Sequence, residues 1–546
     1  MKPYRWLTFG ILTCLVIIVL AYTWATGLMD SLSAYRSPLA EHPPVPGQLA
    51  GQALTRRVVF VLIDALRYDT SLKPEVMPFL NELRGQGAWA TMHSRPPSYS
   101  APGYSVLMIG AWPDLSDGPA MNPENGLPRT WTQDNVFSVA HRAGLKTAVS
   151  GYFWFEGLIP QADVDASFYT SGEDAAADRQ VVDAALPWLQ SGEHQFILIH
   201  IDQVDYAGHH EGGPRSPNWD AAASRADDLL REIVSSLDLG LDTVIVVSDH
   251  GQIDAGGHGG QDPIVLLEPL VMAGAGITPG QYGEVDMVDV APTLAALLGT
   301  NIPAAAQGQV LTGMLTLSDT KRANIFSASI AQQRTLYETY AKAMGVETVQ
   351  ISLDPNHYPI TIFQSVMTSI KNDRLSRERR PRFVLAFVLA LLPASILFLK
   401  RGPTVAWLSG GALLYLLLFH LRYAVLDGRT YSLSSVSSAD DILFYTATTT
   451  LFSFVLTWLV VMIGLRAFKM KPLQAAETCL ALTFVTLYLT SLPVLWSFAY
   501  NGALVTWTLP DFGSLFLGFL SILQGLVLAG SGLLLTATQL FRLAWK

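Results

Sequence analysis

Long apolar segments lie at the two ends of this chain, and they restrict its fold more than any other feature. Leu7 to Met29 is one uncharged span of about membrane length. From Phe383 onward such spans recur, at about 383–399, 404–425, 446–468, 475–499 and 512–540. Half of the 546 residues are hydrophobic and only 15% are charged, which is too apolar for an ordinary soluble protein. The pattern predicts one membrane helix, a large globular region and then five further membrane helices.

The charges that flank the first span predict how the chain is oriented. Lys2 and Arg5 precede this span, which indicates a cytoplasmic N-terminus. No small-residue cleavage site follows it, so the span is expected to remain as an anchor. We therefore predict a multi-pass protein of the cell membrane, or of the endoplasmic reticulum membrane in a eukaryote, with its globular region outside the cytoplasm. The predicted regions are an anchor at 1–29, an extended stalk at 30–54, a globular domain at 55–380 and a five-helix transmembrane domain at 383–546.

Charge and cysteine content narrow the possible partners. The net charge of −10 argues against nucleic acid as a partner. Cys14 and Cys479 are the two cysteines, and both lie in apolar spans, so no disulfide framework is expected. One segment, 371–382, is strongly basic. It is either a solvated connector or a collar that touches anionic lipid headgroups.

The globular region alternates short apolar runs with helical stretches. Its predicted strands are Arg57–Ile63, Lys146–Ser150, Gln195–Ile201 and Thr243–Val247. This alternation predicts an α/β domain with a mostly parallel sheet. In such sheets ligands lie beyond the carboxyl ends of the strands, and four acidic residues fall at or just after such ends: Asp64, Asp202, Asp205 and Asp249.

Three short segments carry the ligand types of a metal centre. They are Asp-Tyr-Ala-Gly-His at 205–209, Ser-Asp-His-Gly at 248–251 and Gly-His-Gly-Gly at 257–260. Aspartate and histidine are ligands that zinc and similar divalent ions accept readily. Together with Asp64 the segments predict a two-metal phosphoryl-transfer site. Three histidines among the ligands favour zinc over magnesium.

A nucleophile is expected after Asp64, near the start of a helix whose backbone N–H groups can help to hold a phosphate. The segment 94–103 runs from Ser94 into the apolar stretch that begins at Tyr104. Its hydroxyl candidates include Ser98 and Ser100. A serine hydroxyl beside a divalent ion is a strong nucleophile at neutral pH.

Taken together, these residues resemble the alkaline phosphatase superfamily in its phosphodiesterase/nucleotide pyrophosphatase branch, over roughly residues 55 to 310. The segment Val-Leu-Ile-Asp-Ala-Leu-Arg-Tyr-Asp at 61–69 is similar to the opening motif of the GPI ethanolamine phosphate transferases. The Asp-x-x-x-His spacing of Asp205 and His209, with Gly208 between them, resembles the ligand motif of both groups. The layout of one N-terminal helix, a catalytic domain at 55–380 and a membrane bundle also resembles these transferases.

The resemblance implies a role for each matching residue. Asp205, His209 and His258 would bind one metal ion. Asp64, Asp249 and His250 would bind the other, together with the nucleophile. Ser100 falls at the nucleophile position, with Ser98 as its rival, and Asn122 matches a phosphate-contacting asparagine.

The chain also departs from the family pattern. The diesterases have asparagine three residues after the nucleophile, where this chain has Gly103. Tyr104 stands where sulfatases of the superfamily have arginine, which argues against sulfate esters. Three further polar residues are not assigned to the metal ions: His200 is interpreted as a core histidine, Asp202 as structural or as support for the ligands, and Arg67 as a structural pair with Asp69 or a helix-start residue.

The favoured hypothesis is a membrane-bound, metal-dependent phosphotransferase. It would move phosphoethanolamine, or a similar headgroup, from a phospholipid donor to a lipid or glycan acceptor by way of a phosphorylated Ser100. One alternative is a phosphodiesterase or nucleotide pyrophosphatase-like hydrolase that gives the group to water. The other is a non-catalytic lipid-binding membrane protein.

Overall fold

The computed structural model describes residues 2–351, 359–400, 402–436, 438–466 and 469–544. Parts of the predicted regions 1–29, 55–380 and 383–546 therefore lie outside the described residues. The chain separates into two compact units. The globular unit comprises Ser33–Arg374 and Thr506–Leu509, and the helical unit comprises Met1–Leu32, Leu375–Val505 and Pro510–Lys546.

The α-helices of the described ranges follow one another along the chain from Lys2 to Ala544. They are α1 (Lys2–Ser33), α2 (Tyr68–Ser71), α3 (Pro78–Gln86), α4 (Ser100–Ile109), α5 (Pro113–Ser116), α6 (Val136–Arg142), α7 (Trp154–Leu158), α8 (Ala175–Ser191), α9 (Gln203–His210), α10 (Pro217–Ser235), α11 (Val290–Leu298), α12 (Asp319–Ala343), α13 (Pro359–Leu399), α14 (Pro403–His420), α15 (Ala439–Gly464), α16 (Pro472–Asn501) and α17 (Phe512–Ala544). A π-helical turn, Leu421–Leu426, continues α14.

One mixed sheet forms the centre of the globular unit. Its strands are β1 (Arg57–Ile63), β2 (Ala88–His93), β3 (Thr147–Tyr152), β4 (Ala166–Thr170), β5 (Phe196–Ile201), β6 (Asp242–Val247), β7 (Leu267–Gly274) and β8 (Gly280–Asp286). They lie in the order β4-β3-β5-β1-β6-β7-β2-β8. Strands β4, β3, β5, β1 and β6 are parallel to one another, whereas β7 runs antiparallel to both β6 and β2. The predicted α/β class with a mostly parallel sheet is confirmed.

Both faces of the sheet are covered by helices, which explains why the central strands are apolar along their whole length. All seven residues of β1 are buried. Val58, Phe60 and Leu62 face one core together with residues of α4, α6 and α11. Their neighbours in sequence face a second core that contains residues of α3, α8 and α10. The carboxyl end of β1 is therefore enclosed on both sides.

The segment predicted as a stalk makes specific contacts within the globular unit. The Arg36 guanidinium pairs with the buried carboxylate of Asp117 at 2.8 Å. The Ala50 N–H donates to the Thr300 carbonyl at 2.9 Å. The predicted domain boundaries stay predictions, although these contacts tie part of 30–54 to the fold.

The helical unit supplies the predicted membrane part. Six helices in the described part of the chain are long and apolar enough to cross a membrane: Trp6–Ser33, Ile360–Leu399, Pro403–Leu426, Asp440–Gly464, Pro472–Asn501 and Phe512–Phe541. Large apolar side chains such as Val384 and Phe387 are 66% and 64% exposed, as is usual for surfaces that face lipid. In the basic segment, Arg379 lies over the Tyr500 ring at 3.6 Å from the ring centroid.

Candidate metal centre

The predicted ligands come together at the carboxyl ends of three neighbouring strands. Strand β1 lies between β5 and β6 and is parallel to both. Asp64 directly follows β1, α9 follows β5, and Asp249 follows β6 by two residues. Because parallel strands end at one edge of the sheet, side chains from distant parts of the sequence meet there.

One predicted ligand set surrounds the imidazole of His250. Its Nε2 atom lies 3.4 Å from Asp64 Oδ1 and 3.4 Å from Asp249 Oδ2. The Ser100 hydroxyl oxygen lies 3.2 Å from the same nitrogen. The structure thus brings together all four residues that were assigned to this ion.

The other predicted set lies beside the first. Asp205 Oδ2 is 3.5 Å from His209 Nε2, and Asp205 Oδ1 is 3.7 Å from His258 Nε2. The two imidazole nitrogens of His209 and His258 are 2.9 Å apart. The rings of His250 and His258 stack at 3.9 Å, so the two sets adjoin. Ligand atoms of Asp205, His250 and His258 all lie within 4.8 Å of one another.

Backbone carbonyls fix the tautomers of two of these histidines. His250 Nδ1 lies 3.1 Å from the Gly251 carbonyl oxygen, and His258 Nδ1 lies 3.1 Å from that of Ser98. A carbonyl oxygen can only accept, so each Nδ1 carries a proton and each Nε2 presents a lone pair. Burial, followed by the nearby His250 and His209, lowers the pKa of His258 well below its usual range. Neutral imidazoles of this kind are suited to bind zinc.

Two buried carboxylate oxygens at the centre have no hydrogen-bond partner among the described residues: Asp64 Oδ1 and Asp249 Oδ2. Burial, and then the charge of Asp64, raise the pKa of Asp249 well above its usual range. Buried unpaired acceptors are costly unless a cation or a donor satisfies them. Unpaired carboxylate oxygens beside imidazole lone pairs are therefore a donor set that fits divalent metal ions, and the mixture of oxygen and nitrogen ligands suits zinc.

Several residues support the ligands through contacts that the sequence did not predict. His200 is buried as expected, but its Nε2 lies 3.0 Å from Asp64 Oδ2, and the Tyr104 hydroxyl donates to the same oxygen. Gln252 donates from Nε2 to Asp205 Oδ1 at 2.6 Å and accepts from the Gly257 N–H at 3.2 Å. These contacts orient Asp64 and Asp205, as residues that hydrogen-bond to metal ligands commonly do. The signal for His200 was a polar residue within the otherwise apolar strand β5.

The two candidate serines have different surroundings. The Ser98 hydroxyl donates to the Gly260 carbonyl at 2.9 Å and accepts from the Gly259 N–H at 3.1 Å, so it holds the His258 loop in place. Ser100 is the first residue of α4 and faces His250. This geometry favours Ser100 as the nucleophile.

The surroundings of Ser100 also include Asn122 and Gly103. Asn122 Oδ1 accepts from the Ala101 N–H at 3.0 Å, which leaves its amide nitrogen as the donating end. A Cβ atom on Gly103 would lie 2.9 Å from Asp249 Cβ. The close approach of α4 to Asp249 explains why this chain has glycine there.

Arg67 forms the predicted pair with Asp69 and also contacts a second acid. Its Nε donates to Asp69 Oδ1 at 2.9 Å, and its Nη1 lies 2.7 Å from Asp254 Oδ1. Arg67 is 5% exposed and lies three residues after Asp64, so it joins the end of β1 to the loop between His250 and His258.

Comparison with known proteins agrees with this geometry. Residues 58–301 match the sequence model of the type I phosphodiesterase/nucleotide pyrophosphatase family. The predicted resemblance is confirmed. This stretch contains Ser100, Asn122 and all six predicted metal ligands.

Comparison with curated proteins gives a more specific similarity. The chain is 27% identical over 349 residues to GPI ethanolamine phosphate transferase 3, catalytic subunit, of Homo sapiens, covering 57% of this chain and 31% of that protein. It is 22% identical over 441 residues to GPI ethanolamine phosphate transferase 2 of Candida albicans, covering 75% of this chain and 49% of that protein. The chain therefore spans about a third to a half of the length of these relatives.

Two solved structures are also similar. Wild-type alkaline phosphatase PafA matches with a TM-score of 0.39 and 12% identity, covering 48% of this chain and 99% of that one. Murine ectonucleotide pyrophosphatase/phosphodiesterase 5 matches with a TM-score of 0.39 and 12% identity, covering 45% of this chain and 96% of that one.

Proposed function

We propose that this protein is a membrane-bound, metal-dependent phosphotransferase. It moves phosphoethanolamine, or a similar headgroup, from a phospholipid to a lipid or glycan acceptor. The observation that carries the proposal is the position of the Ser100 hydroxyl, 3.2 Å from His250 Nε2 at the edge of a cluster of carboxylates and imidazoles. The printed names of the relatives, which are GPI ethanolamine phosphate transferases, support the choice of headgroup.

The chain's own residues supply a complete set of ligands for two divalent ions. Asp205, His209 and His258 would hold one ion. Asp64, Asp249 and His250 would hold the other beside Ser100. When bound, such ions supply positive charge that activates a hydroxyl and stabilises the charge that develops on a phosphoryl group.

The protein groups around Ser100 position a phosphodiester for attack. Ser100 begins α4, where the helix dipole favours a negatively charged group. The Asn122 amide nitrogen is available to donate to a phosphate oxygen, because its Oδ1 is held by the Ala101 N–H. Ser100 Oγ forms the new bond to phosphorus as the bond from phosphorus to the diacylglycerol oxygen breaks, and the proton lost by Ser100 is balanced by the one gained on that oxygen, so diacylglycerol leaves. The acceptor hydroxyl oxygen then bonds to phosphorus, the bond to Ser100 Oγ breaks, and Ser100 regains a proton in place of the one that the acceptor loses, which restores the free enzyme.

The membrane part suits substrates of this kind. Six apolar helices keep the chain in a bilayer, where phospholipids are the most abundant phosphodiesters. We propose that the globular unit lies on the extracytoplasmic side, of the cell membrane or of the endoplasmic reticulum membrane, as the charges before the first span predict.

A hydrolase is the second candidate, because the matching family is one of phosphodiesterases and nucleotide pyrophosphatases. The two activities differ in the final acceptor. Purified protein is incubated with phosphatidylethanolamine labelled in its headgroup, with and without a lipid extract that contains hydroxylated glycolipids. Transfer predicts label in a new lipid only when extract is present. Label found solely as free phosphoethanolamine, with or without extract, would favour the hydrolase.

A further inference from the structure

Beside the metal ligands lies a carboxyl group that the mechanism does not use. Asp202 directly follows β5, and the residue is only 7% exposed. It stands at the start of α9, yet its side chain caps no N–H of that helix. Within the described ranges it pairs with no lysine or arginine. One of its oxygens lies within 4.8 Å of ligand atoms of Asp64 and His200.

The arrangement does not suit a third metal ion. His200 Nδ1 accepts from the Tyr152 N–H at 3.4 Å, so its Nε2 carries the proton. That nitrogen points to Asp64 Oδ2 at 3.0 Å, and a protonated nitrogen is not a metal ligand. Asp64 Oδ2 already accepts from both His200 and Tyr104. An ion near Asp202 would therefore find one free carboxylate and a nitrogen that repels it.

Aromatic rings and a second acid lie at the carboxyl end of β3, the strand beside the one that Asp202 follows. Tyr152 ends β3, the strand beside β5, and its ring lies 4.7 Å from that of Phe153 and 5.1 Å from that of Trp154. All three side chains are half-buried. The Tyr152 hydroxyl donates to Glu173 Oε1 at 2.7 Å, which leaves the other carboxylate oxygen of Glu173 without a partner in the described structure.

A chain of contacts joins Glu173 to Asp202. The Tyr152 hydroxyl donates to Glu173, the Tyr152 N–H donates to His200 Nδ1, and a ligand atom of His200 lies within 4.8 Å of Asp202. Glu173 forms no ion pair with a lysine or arginine of the described chain. Lysine and arginine side chains of the described chain therefore do not neutralise the carboxylates of Asp202 and Glu173.

We propose that Asp202, Glu173 and the Tyr152 ring form a subsite for a primary ammonium group, the amine of the transferred headgroup. The inference rests on the proposed function and names the substrate class more narrowly. An ammonium offers three N–H donors, which match carboxylate acceptors, and its charge is attracted to an aromatic face. Binding here is non-covalent, so no bond changes beyond those at phosphorus.

The first test measures binding without turnover. The full-length Ser100→Ala protein in detergent is titrated calorimetrically with O-phosphoethanolamine and with ethyl phosphate, which differ only in the amine. The subsite predicts at least about tenfold tighter binding of O-phosphoethanolamine, and loss of most of that preference in Asp202→Asn and Glu173→Gln backgrounds. Glu156→Gln removes an exposed acid from the neighbouring α7 and should keep the preference. Equal affinity for the two ligands would overturn the inference.

The second test separates the inference from the proposed function. The wild type and both subsite variants are assayed with phosphatidylethanolamine and phosphatidylethanol, and their metal content is measured. A fall of about tenfold in the kcat/KM ratio of the two donors, with metal content retained, supports the subsite. Loss of bound metal together with an equal fall for both donors would overturn it, because Asp202 would then support the metals. Absence of wild-type turnover with either donor contradicts the proposed function alone, since the calorimetric preference does not depend on catalysis.

Discussion

The substitution Gly208→Ala should disrupt the metal centre although it adds a single methyl group. A Cβ atom at this position would lie 1.8 Å from Gln252 Oε1 and 2.2 Å from Gln252 Cδ. Carbon and oxygen atoms do not approach within 3 Å without a bond, so the Gln252 amide must move by more than 1 Å. Gly208 thus lets Gln252 reach Asp205, which explains the glycine in the Asp-x-x-Gly-His segment.

The displacement breaks two hydrogen bonds, and the cost of losing each can be approximated. One is the 2.6 Å bond from Gln252 to Asp205 Oδ1, and the other is the 3.2 Å bond from the Gly257 N–H. A buried N–H left without a partner costs about 1–3 kcal/mol. Loss of a residue that orients a metal ligand costs about 10- to 100-fold in metal affinity. We therefore expect zinc affinity to fall by about 10- to 100-fold.

Zinc dissociation constants are measured by competition with a chromophoric chelator, for the wild type and Gly208→Ala. Gly85→Ala is the matched control, because a Cβ atom on this glycine of α3 meets nothing within 4 Å. Gln252→Ala and the double variant complete a thermodynamic cycle. If the clash acts through Gln252, the double variant binds zinc no more weakly than Gln252→Ala. Wild-type zinc affinity in Gly208→Ala would show that Asp205 does not depend on the position of Gln252.

Three other measurements test the metal centre and the fold around it. Removal of bound metal by a chelator should lower the melting temperature by several degrees, because a ligand present at about 1,000 times its Kd stabilises the folded protein by about 4 kcal/mol. An unchanged melting temperature under a strong chelator would contradict metal binding by the folded protein. Gly103→Asn introduces the residue that the resemblance to the diesterases would place here. It should lower kcat/KM by about 10- to 100-fold by displacing Asp249, and a gain in activity would contradict this. Burial raises the pKa of Asp289 to about 7, against about 3.9 in the unfolded chain. Its contribution to the free energy of unfolding therefore falls as pH rises from about 4 to 7 and is constant above. Melting curves recorded across this pH range should show a smaller fall in stability for Asp289→Asn than for the wild type.

The centre of the fold was predictable because its strands are buried on both faces. Strand β1 has the predicted bounds, Arg57–Ile63, and the other three predicted strands lie within two residues of β3, β5 and β6. Their apolar runs, each followed by polar residues, are typical of parallel strands in a covered sheet. The adjacent metal motifs could therefore be placed at one edge of the sheet.

The outer strands and the supporting residues were not predictable in the same way. Strand β8, Gly280–Asp286, is mostly exposed and contains two glycines. Strand β2 alternates between buried and half-buried residues, but two of its three buried positions are alanine, which has a low β propensity. Pairing with neighbouring strands of the sheet, rather than the local residue pattern, determines where both strands form. Gln252 gave no signal, because an amide in a loop has no periodicity that indicates its partner.

The role of Ser100 as the nucleophile is tested most directly by identifying the residue that carries the headgroup during turnover. Purified protein is incubated with phosphatidylethanolamine in the absence of acceptor, quenched in acid, digested and analysed by mass spectrometry. We expect phosphoethanolamine on the peptide that contains Ser100, at Ser100 itself, and none in Ser100→Ala. Modification of Ser98 instead, or product formation with Ser100 unmodified at every time of quenching, would contradict it.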